Sequence, residues 1–269
     1  MASLQGIFEE PQIRELLVGS RYRQEDLIPI LAIADRHGEH FDNVAKNLLA
    51  EIKGFEKVHS VKYRVKDLSS LCKKILKKEK KEQRKVITEE NLPKEISDIM
   101  GLRILYLYPS DFPVLHRQIM SSFGSEQVGA VCVNHRVGDD LSFFKNVLGE
   151  KDSTYYEGIY RSVHYNIWVS TPGNKKWKAE IQVRTIFEEA WSEMYHSAYK
   201  SELKDFELFQ LVSANFSTHI RTCNEMSELM KFCEKHYEEM RAAEKKSPLR
   251  LDDLPAPDDL IKKIWNENR

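Results

Sequence analysis

Glu180-Ile181-Gln182-Val183-Arg184-Thr185 alternates polar and apolar residues without a break. Side chains alternate across a strand, so Glu180, Gln182 and Arg184 share one face while Ile181 and Val183 enter a core. A carboxylate, an amide and a guanidinium in a row can hold a divalent cation and steady phosphate oxygens. Two islands of similar character lie upstream, Asp98-Ile99-Met100-Gly101-Leu102-Arg103 and Tyr160-Arg161-Ser162-Val163-His164. Together they point to phosphate chemistry on a nucleotide.

Working outward, Ser162–Ser170 reads as a strand that turns at Thr171-Pro172-Gly173-Asn174 into Lys176–Arg184, a hairpin. Val58–Lys66, Leu102–Tyr108 and Val128–Val137 give three more strands. Residues 138–158 read as a polar, irregular loop. Helical spacing marks Glu25–Lys53, interrupted at Gly38, then a helix from Leu68 capped by Asp67 or Ser69, residues 112–123, Thr185–Lys200 and Phe206–Lys245. The pattern is an α/β (α+β) fold, a mixed sheet of about five strands surrounded by helices. Its expected division is a helical extension over residues 1–55, a central domain over 56–205 and a helix with an extended tail over 206–269. There is no internal repeat.

Composition narrows the function classes. The 269 residues carry 41 basic and 42 acidic side chains for a net charge of −1, so no global field advertises nucleic acid or an anionic membrane. The four cysteines show no Cys-x-x-Cys spacing and read as buried thiols in a reducing compartment. The N-terminus lacks a signal-peptide pattern and no apolar run approaches a membrane span. The expectation is a cytoplasmic protein without a membrane partner.

Arg64 and Lys66 share a strand face, and Ser70 and Lys74 stand one turn apart on the following helix. Two cations, a hydroxyl and a third cation make a cradle for a polyphosphate. The run Lys77–Lys85 reads instead as a solvated basic face. Asp98 on a strand beside Glu180 would make a magnesium site, because that ion takes one or two protein carboxylates plus substrate phosphates. On the helix from Thr185, Phe187, Ala190, Trp191 and Met194 are expected to be buried, opposite Glu189, Glu193, His196 and Lys200. Glu193-x-x-His196 lacks the second copy that a di-iron bundle requires. No P-loop, dinucleotide fingerprint or kinase motif set occurs, so phosphates must be held by side chains and metal.

In this order, Arg64-x-Lys66 with Ser70 and Lys74, Asp98-Ile-x-Gly101-x-Arg103, Tyr160-Arg-Ser-x-His164, Glu180-Ile-Gln182-x-Arg184-Thr185 and Trp191…His196-x-x-Tyr199-Lys200 resemble the synthetase domain of RelA/SpoT-type alarmone synthetases. The resemblance covers about residues 56–205. It implies a nucleotidyltransferase-like sheet and transfer of the β,γ-pyrophosphate of ATP to the 3′-hydroxyl of GDP or GTP, with AMP released. It further implies that Arg64 and Arg103 enclose the adenine and that Lys66, Ser70 and Lys74 hold the ATP phosphates. Asp98 and Glu180 would bind Mg2+, Glu180 also serving as base. Tyr160 would stack on the acceptor base, with His164, Gln182 and Arg184 around the acceptor.

No His-Asp dipeptide occurs, so the hydrolase half of long members is not expected, and the chain looks like a small, single-function member. One departure bears on the acceptor. The family usually has glycine directly before the stacking tyrosine, whereas here Ile159 precedes Tyr160 and the glycine, Gly158, is displaced by one. The acceptor therefore stays open among GDP or GTP, an adenine nucleotide, and the tRNA 3′ end used by toxin-type members. A non-catalytic nucleotide-binding module is the remaining alternative. It fits poorly with two uncompensated carboxylates kept in one cleft. A second copy of the chain or an antitoxin is a conceivable partner.

Overall fold

A computed structural model describes residues 4–81, 86–129, 131–149, 153–170, 176–199, 203 and 206–244. The expected turn at Thr171–Asn174, Lys200 and the tail beyond Glu244 lie outside these residues. Among them, no helix is long and apolar enough to cross a membrane.

Four helices open the chain, α1 (Leu4–Ile7), α2 (Pro11–Leu17), α3 (Gln24–Arg36) and α4 (Gly38–Ile52). The interruption expected at Gly38 is the junction between α3 and α4. Then follow β1 (Ser60–Val65), α5 (Leu68–Lys81), the single turn α6 (Leu92–Glu95), β2 (Met100–Tyr106), a 3-10 turn (Pro109–Asp111) and α7 (Phe112–Gln127). The chain continues through β3 (Val131–Arg136), α8 (Ser142–Leu148), β4 (Ser153–Gly158), β5 (Ser162–Ser170), β6 (Lys176–Thr185), α9 (Ile186–Tyr199) and α10 (Glu207–Glu244). Asp67 is the residue that starts α5, its carboxylate accepting both the Ser70 amide (2.7 Å) and the Ser70 hydroxyl (2.8 Å).

The sheet has six strands in the order β1-β2-β6-β5-β3-β4. The additional strand is β4, within the stretch read as loop; it pairs in parallel with β3 at the sheet edge. The same stretch also holds the helix α8, with Phe144 and Leu148 buried. β2 and β6 pair in parallel with Gly101 opposite Glu180 and Arg103 opposite Gln182, while β1 and β5 flank them antiparallel.

Registers sort the side chains into two faces. One carries Leu102 and Ile104 of β2, Trp177, Ala179, Ile181 and Val183 of β6, and Val163, Tyr165 and Ile167 of β5, all buried. Helix α4 covers it through Phe41, edge-on to Trp177 at 4.8 Å, and α7 through His116, whose Nδ1 meets the Tyr165 hydroxyl at 2.9 Å. The buried apolar cluster runs without interruption from Ile7 in α1 to Val183 in β6, so the first four helices belong to the same core as the sheet. The expectation of buried cysteines is met at Cys72 and not at Cys233, which is exposed.

The opposite face is polar. It displays Lys62, Arg64, Arg103, Lys178, Glu180, Gln182, Arg184, His164 and Asn166, with α9 lying over one end.

Candidate active site

An open cleft runs along the polar face, lined by Lys62, Tyr63, Arg64, Asp98, Gly101, Leu102, Arg103, Glu180, Gln182 and Glu193. Five residues singled out by the sequence thus share one hollow: Arg64, Asp98, Arg103, Glu180 and Gln182. The parallel β2–β6 pairing brings the two acids there, one just before β2 and one inside β6.

Asp98 is clasped by two ammonium groups. The Lys66 amide donates to the Ile99 carbonyl (2.8 Å), prolonging the β1–β2 ladder and setting the Lys66 Nζ 3.1 Å from Asp98 Oδ2. Lys74 reaches across from α5 to Oδ1 at 2.6 Å. Oδ1 is buried and accepts no directed hydrogen bond, so the lysine charge alone compensates it.

Glu180 sits in a different environment. Gln182 Nε2 donates to its Oε2 at 2.6 Å, and His164 Nδ1 lies 3.7 Å from Oε1. Burial by itself would raise the pKa, but His164, the Gln182 amide and the positive charge of Lys74 outweigh it and hold the carboxyl down at about 2. It is therefore an anion at any ordinary pH.

Arg184 donates from Nη2 to Gln182 Oε1 (2.5 Å), which aligns Glu180, Gln182 and Arg184 into one relay along β6. Arg184 is only 4% exposed, yet its Nε and Nη1 make no hydrogen bond; Glu189 Oε2 lies 3.5 Å from Nη1. Burial and the repulsion of Arg103 lower its pKa, with Glu189 opposing them. The guanidinium also stands 5.9 Å from the Tyr160 ring centroid. Tyr160 itself, in the turn between β4 and β5, stacks on Trp191 with centroids 6.1 Å apart and planes 15° from parallel.

Arg64 extends over Gly101. A Cβ at Gly101 would stand 3.7 Å from Arg64 Cγ and 3.8 Å from Nε, ordinary contact distances, so the arginine side chain packs directly against this point of β2. Arg103 is restrained by carboxylates of α9, its Nη1 donating to Glu189 (2.6 Å) and Glu193 (2.5 Å).

Lys66, Ser70, Lys74, Tyr160, His164 and Arg184 do not line the cleft itself. Lys66 and Lys74 reach it through Asp98, His164 through Glu180 and Arg184 through Gln182, whereas Ser70 donates its hydroxyl to Asp67. Residues whose roles the sequence reading missed are Lys62, Glu189 and Glu193. The i, i+2 spacing of Lys62 and Arg64 carried the first signal, and the i, i+4 spacing of the two glutamates carried the second. The buried side of α9 also differs from expectation. Trp191 is buried as expected, but its companions are Glu188, Glu189 and Ser192, while Ala190 and Met194 are exposed. The helix rests on arginines rather than on an apolar layer, so its carboxylates point inward.

Among the described residues, no group of three or more His, Cys, Asp and Glu side chains is arranged to hold a metal. Two carboxylates on one cleft, one with an oxygen lacking any directed hydrogen bond, nonetheless suit a magnesium ion that draws its other ligands from phosphate and water.

Among curated protein sequences none matches this chain. Solved structures do. Small alarmone synthetase 1 from Bacillus subtilis is similar in a crystal structure at 21% identity and TM-score 0.54, covering 75% of this chain and 97% of that one. Its complex with the product pppGpp aligns at 21% identity and TM-score 0.52, over 71% and 93% of the two chains. Its complex with AMPCPP aligns at 18% and 0.51, over 73% and 94%. These likenesses concern the fold, and the six-stranded mixed sheet among helices agrees with it. A family model described as "Region found in RelA / SpoT proteins" matches residues 63–204, which takes in the second half of β1, the other five strands, the cleft lining apart from Lys62, and α9. The chain belongs to the RelA/SpoT family.

Proposed function

We propose that the cleft transfers the β,γ-pyrophosphate of ATP to the 3′-hydroxyl of GDP or GTP, giving guanosine tetra- or pentaphosphate and AMP. The observation that carries this reading is the convergence of Asp98 and Glu180 on one cleft that Arg64 and Arg103 also line, with Lys66 and Lys74 held to it by Asp98. Pyrophosphate transfer asks mainly for positioning and charge neutralisation, which this set provides. Family membership and the nucleotide complexes of the similar Bacillus subtilis enzyme, one with pppGpp and one with AMPCPP, support it.

The residues divide the work. Lys66 and Lys74, now paired with Asp98, turn to the ATP phosphates on binding, which releases the Asp98 carboxylate. Arg64, packed against Gly101, and Arg103, aimed by Glu189 and Glu193, offer their guanidinium groups to the adenine. Asp98 and Glu180 would hold Mg2+, which when bound neutralises charge on the transferring phosphates. Tyr160 presents its ring to the acceptor base, and His164, Gln182 and Arg184 line the approach of the acceptor.

The 3′ oxygen attacks the β-phosphorus, the bond from that phosphorus to the α–β bridging oxygen breaks, and AMP departs. The hydroxyl proton is shed toward Glu180 and relayed to solvent. With a pKa near 2, Glu180 serves to orient the hydroxyl more than to store its proton.

The test supplies γ-labelled ATP with GDP, GTP, AMP, ATP or deacylated tRNA in separate reactions and follows AMP release and the labelled product. Label on GDP or GTP is expected. Label on tRNA would identify a toxin-type enzyme, label on an adenine nucleotide an adenosine-alarmone synthetase, and no AMP with any acceptor a binding module; each would displace the reading.

A further inference from the structure

The family region ends at residue 204, but the most heavily tied turn in the site is tied from beyond it. Tyr160 is bracketed on both sides by its own backbone. On one side, the carbonyl of Ile159 accepts the hydroxyl of Ser217 on α10. On the other, the amide of Arg161 donates to Glu188 Oε2 at 3.2 Å.

The two anchors are joined. Arg136 donates from Nε to Ser217 Oγ and grips Glu188 bidentately through Nη1 (2.8 Å) and Nη2 (2.6 Å). Asn224, also on α10, donates to Glu188 Oε1 at 3.2 Å. Ser217 is 2% exposed and Glu188 1%, and the bonds that join them through Arg136 and Asn224 are buried, so a lost partner there is costly.

The ring is tied as well as the backbone. Trp191, against which Tyr160 stacks, donates its indole N–H to the Ser213 carbonyl of α10 at 3.1 Å. The stack then continues through Tyr195 (4.9 Å) to Phe209 of α10 (5.7 Å). One face of the tyrosine ring is therefore backed by a row of aromatic rings that ends on the same helix.

We propose that α10, through Ser217 and Asn224, is the positioning element that fixes Tyr160 for the acceptor base. A ring held rigidly costs little order when a base stacks on it. The inference rests on the reading of Tyr160 as the acceptor-stacking residue, and Ser217 acts through that turn without touching the reacting atoms.

The decisive variant is Ser217→Ala, with Ser217→Thr as the control that restores a hydroxyl. Hydrogen–deuterium exchange of the turn, residues 157–162, is followed in the unliganded full chain. Steady-state KM values are measured for ATP and for the acceptor. In Ser217→Ala, exchange should quicken at least about tenfold and acceptor KM should rise about tenfold, with ATP KM changed less than about twofold. Ser217→Thr should stay near wild type in both.

Asn224→Ala, which removes one donor to Glu188, should move both readouts the same way by a smaller factor. It decides the question should Ser217→Ala fail to fold. Unchanged exchange in the turn, or ATP and acceptor KM rising together, overturns the proposal. Should wild-type protein use no acceptor at all, the functional reading falls, while the exchange measurement still decides whether α10 holds the turn.

Discussion

The two faces of the sheet are made from the same six strands and are held in order by different physics. On one face Trp177, Ile181, Val183 and Tyr165 are buried beneath α4 and α7, and each contributes through area removed from water. On the other, Glu180, Gln182, Arg184, Arg103 and the pair Lys66–Asp98 order one another through charge and directed hydrogen bonds. Ion pairs of this kind add little net stability, because desolvating the partners offsets most of their attraction. What they provide is a set of charges already facing the right way. The first face sets how firmly the protein folds and the second what it does.

Exchanging residues between the faces tests that separation. The largest expected effect is on the polar face. Glu180→Gln and Asp98→Asn should each slow pyrophosphate transfer about a thousandfold per folded molecule. Substantial residual turnover would remove the carboxylate pair from the mechanism. On the apolar face the reverse is expected. Ile181→Ala, one residue from Glu180 but pointing into the core, should lower folding stability by about 2–5 kcal/mol. Its rate per folded molecule should fall far less than in the Glu180 variant.

The acidity of Glu180 sharpens the contrast further. A carboxyl depressed from 4.5 to about 2 on folding contributes stability that is full above the ordinary carboxylate range and is lost as pH falls through the folded value. From about pH 6 to about pH 3, wild type should therefore lose stability relative to Glu180→Gln in parallel urea titrations. A constant difference would mean that His164 and Gln182 do not hold the anion as the geometry indicates. The smallest effect is at Glu193, whose exposed carboxylate shares Arg103 with buried Glu189. Glu193→Gln should shift ATP KM by less than about threefold, since Glu189 keeps the guanidinium aimed. A larger shift would make Glu193 a principal restraint on Arg103.

The strands that build the site were legible because they obey a period of two. Glu180, Gln182 and Arg184 could be assigned to one face before any fold was known, and the adjacency of β2 and β6 followed from the acids they carry. Within residues 138–158, β4 was not legible, because it is an edge strand with a single neighbour and Ser153-Thr154-Tyr155-Tyr156-Glu157-Gly158 has no apolar face to reveal it; α8 did carry a signal, buried Phe144 and Leu148 standing i, i+4, but over only seven residues. The inward side of α9 misled for a related reason. Hydrophobic periodicity finds the face that meets a core, and this helix meets arginines. Gly158, displaced from the family position, ends β4 with nothing within 4 Å of where a Cβ would stand, so the turn itself makes no demand for it. Ser217 and Asn224 gave no sequence signal at all, being ordinary polar residues on a 38-residue helix whose partners lie far away in the chain.

The parallel pairing of β2 with β6 also carries a consequence for how the protein comes into being. Parallel neighbours cannot be joined by a tight turn, and here Gly101 waits for Glu180 while α7 and three intervening strands are made. Contacts so distant in sequence form late. A nascent chain still lacking β6 carries one acid of the pair without the other, so competence arrives in a single event, when the last strand slots into the middle of the sheet.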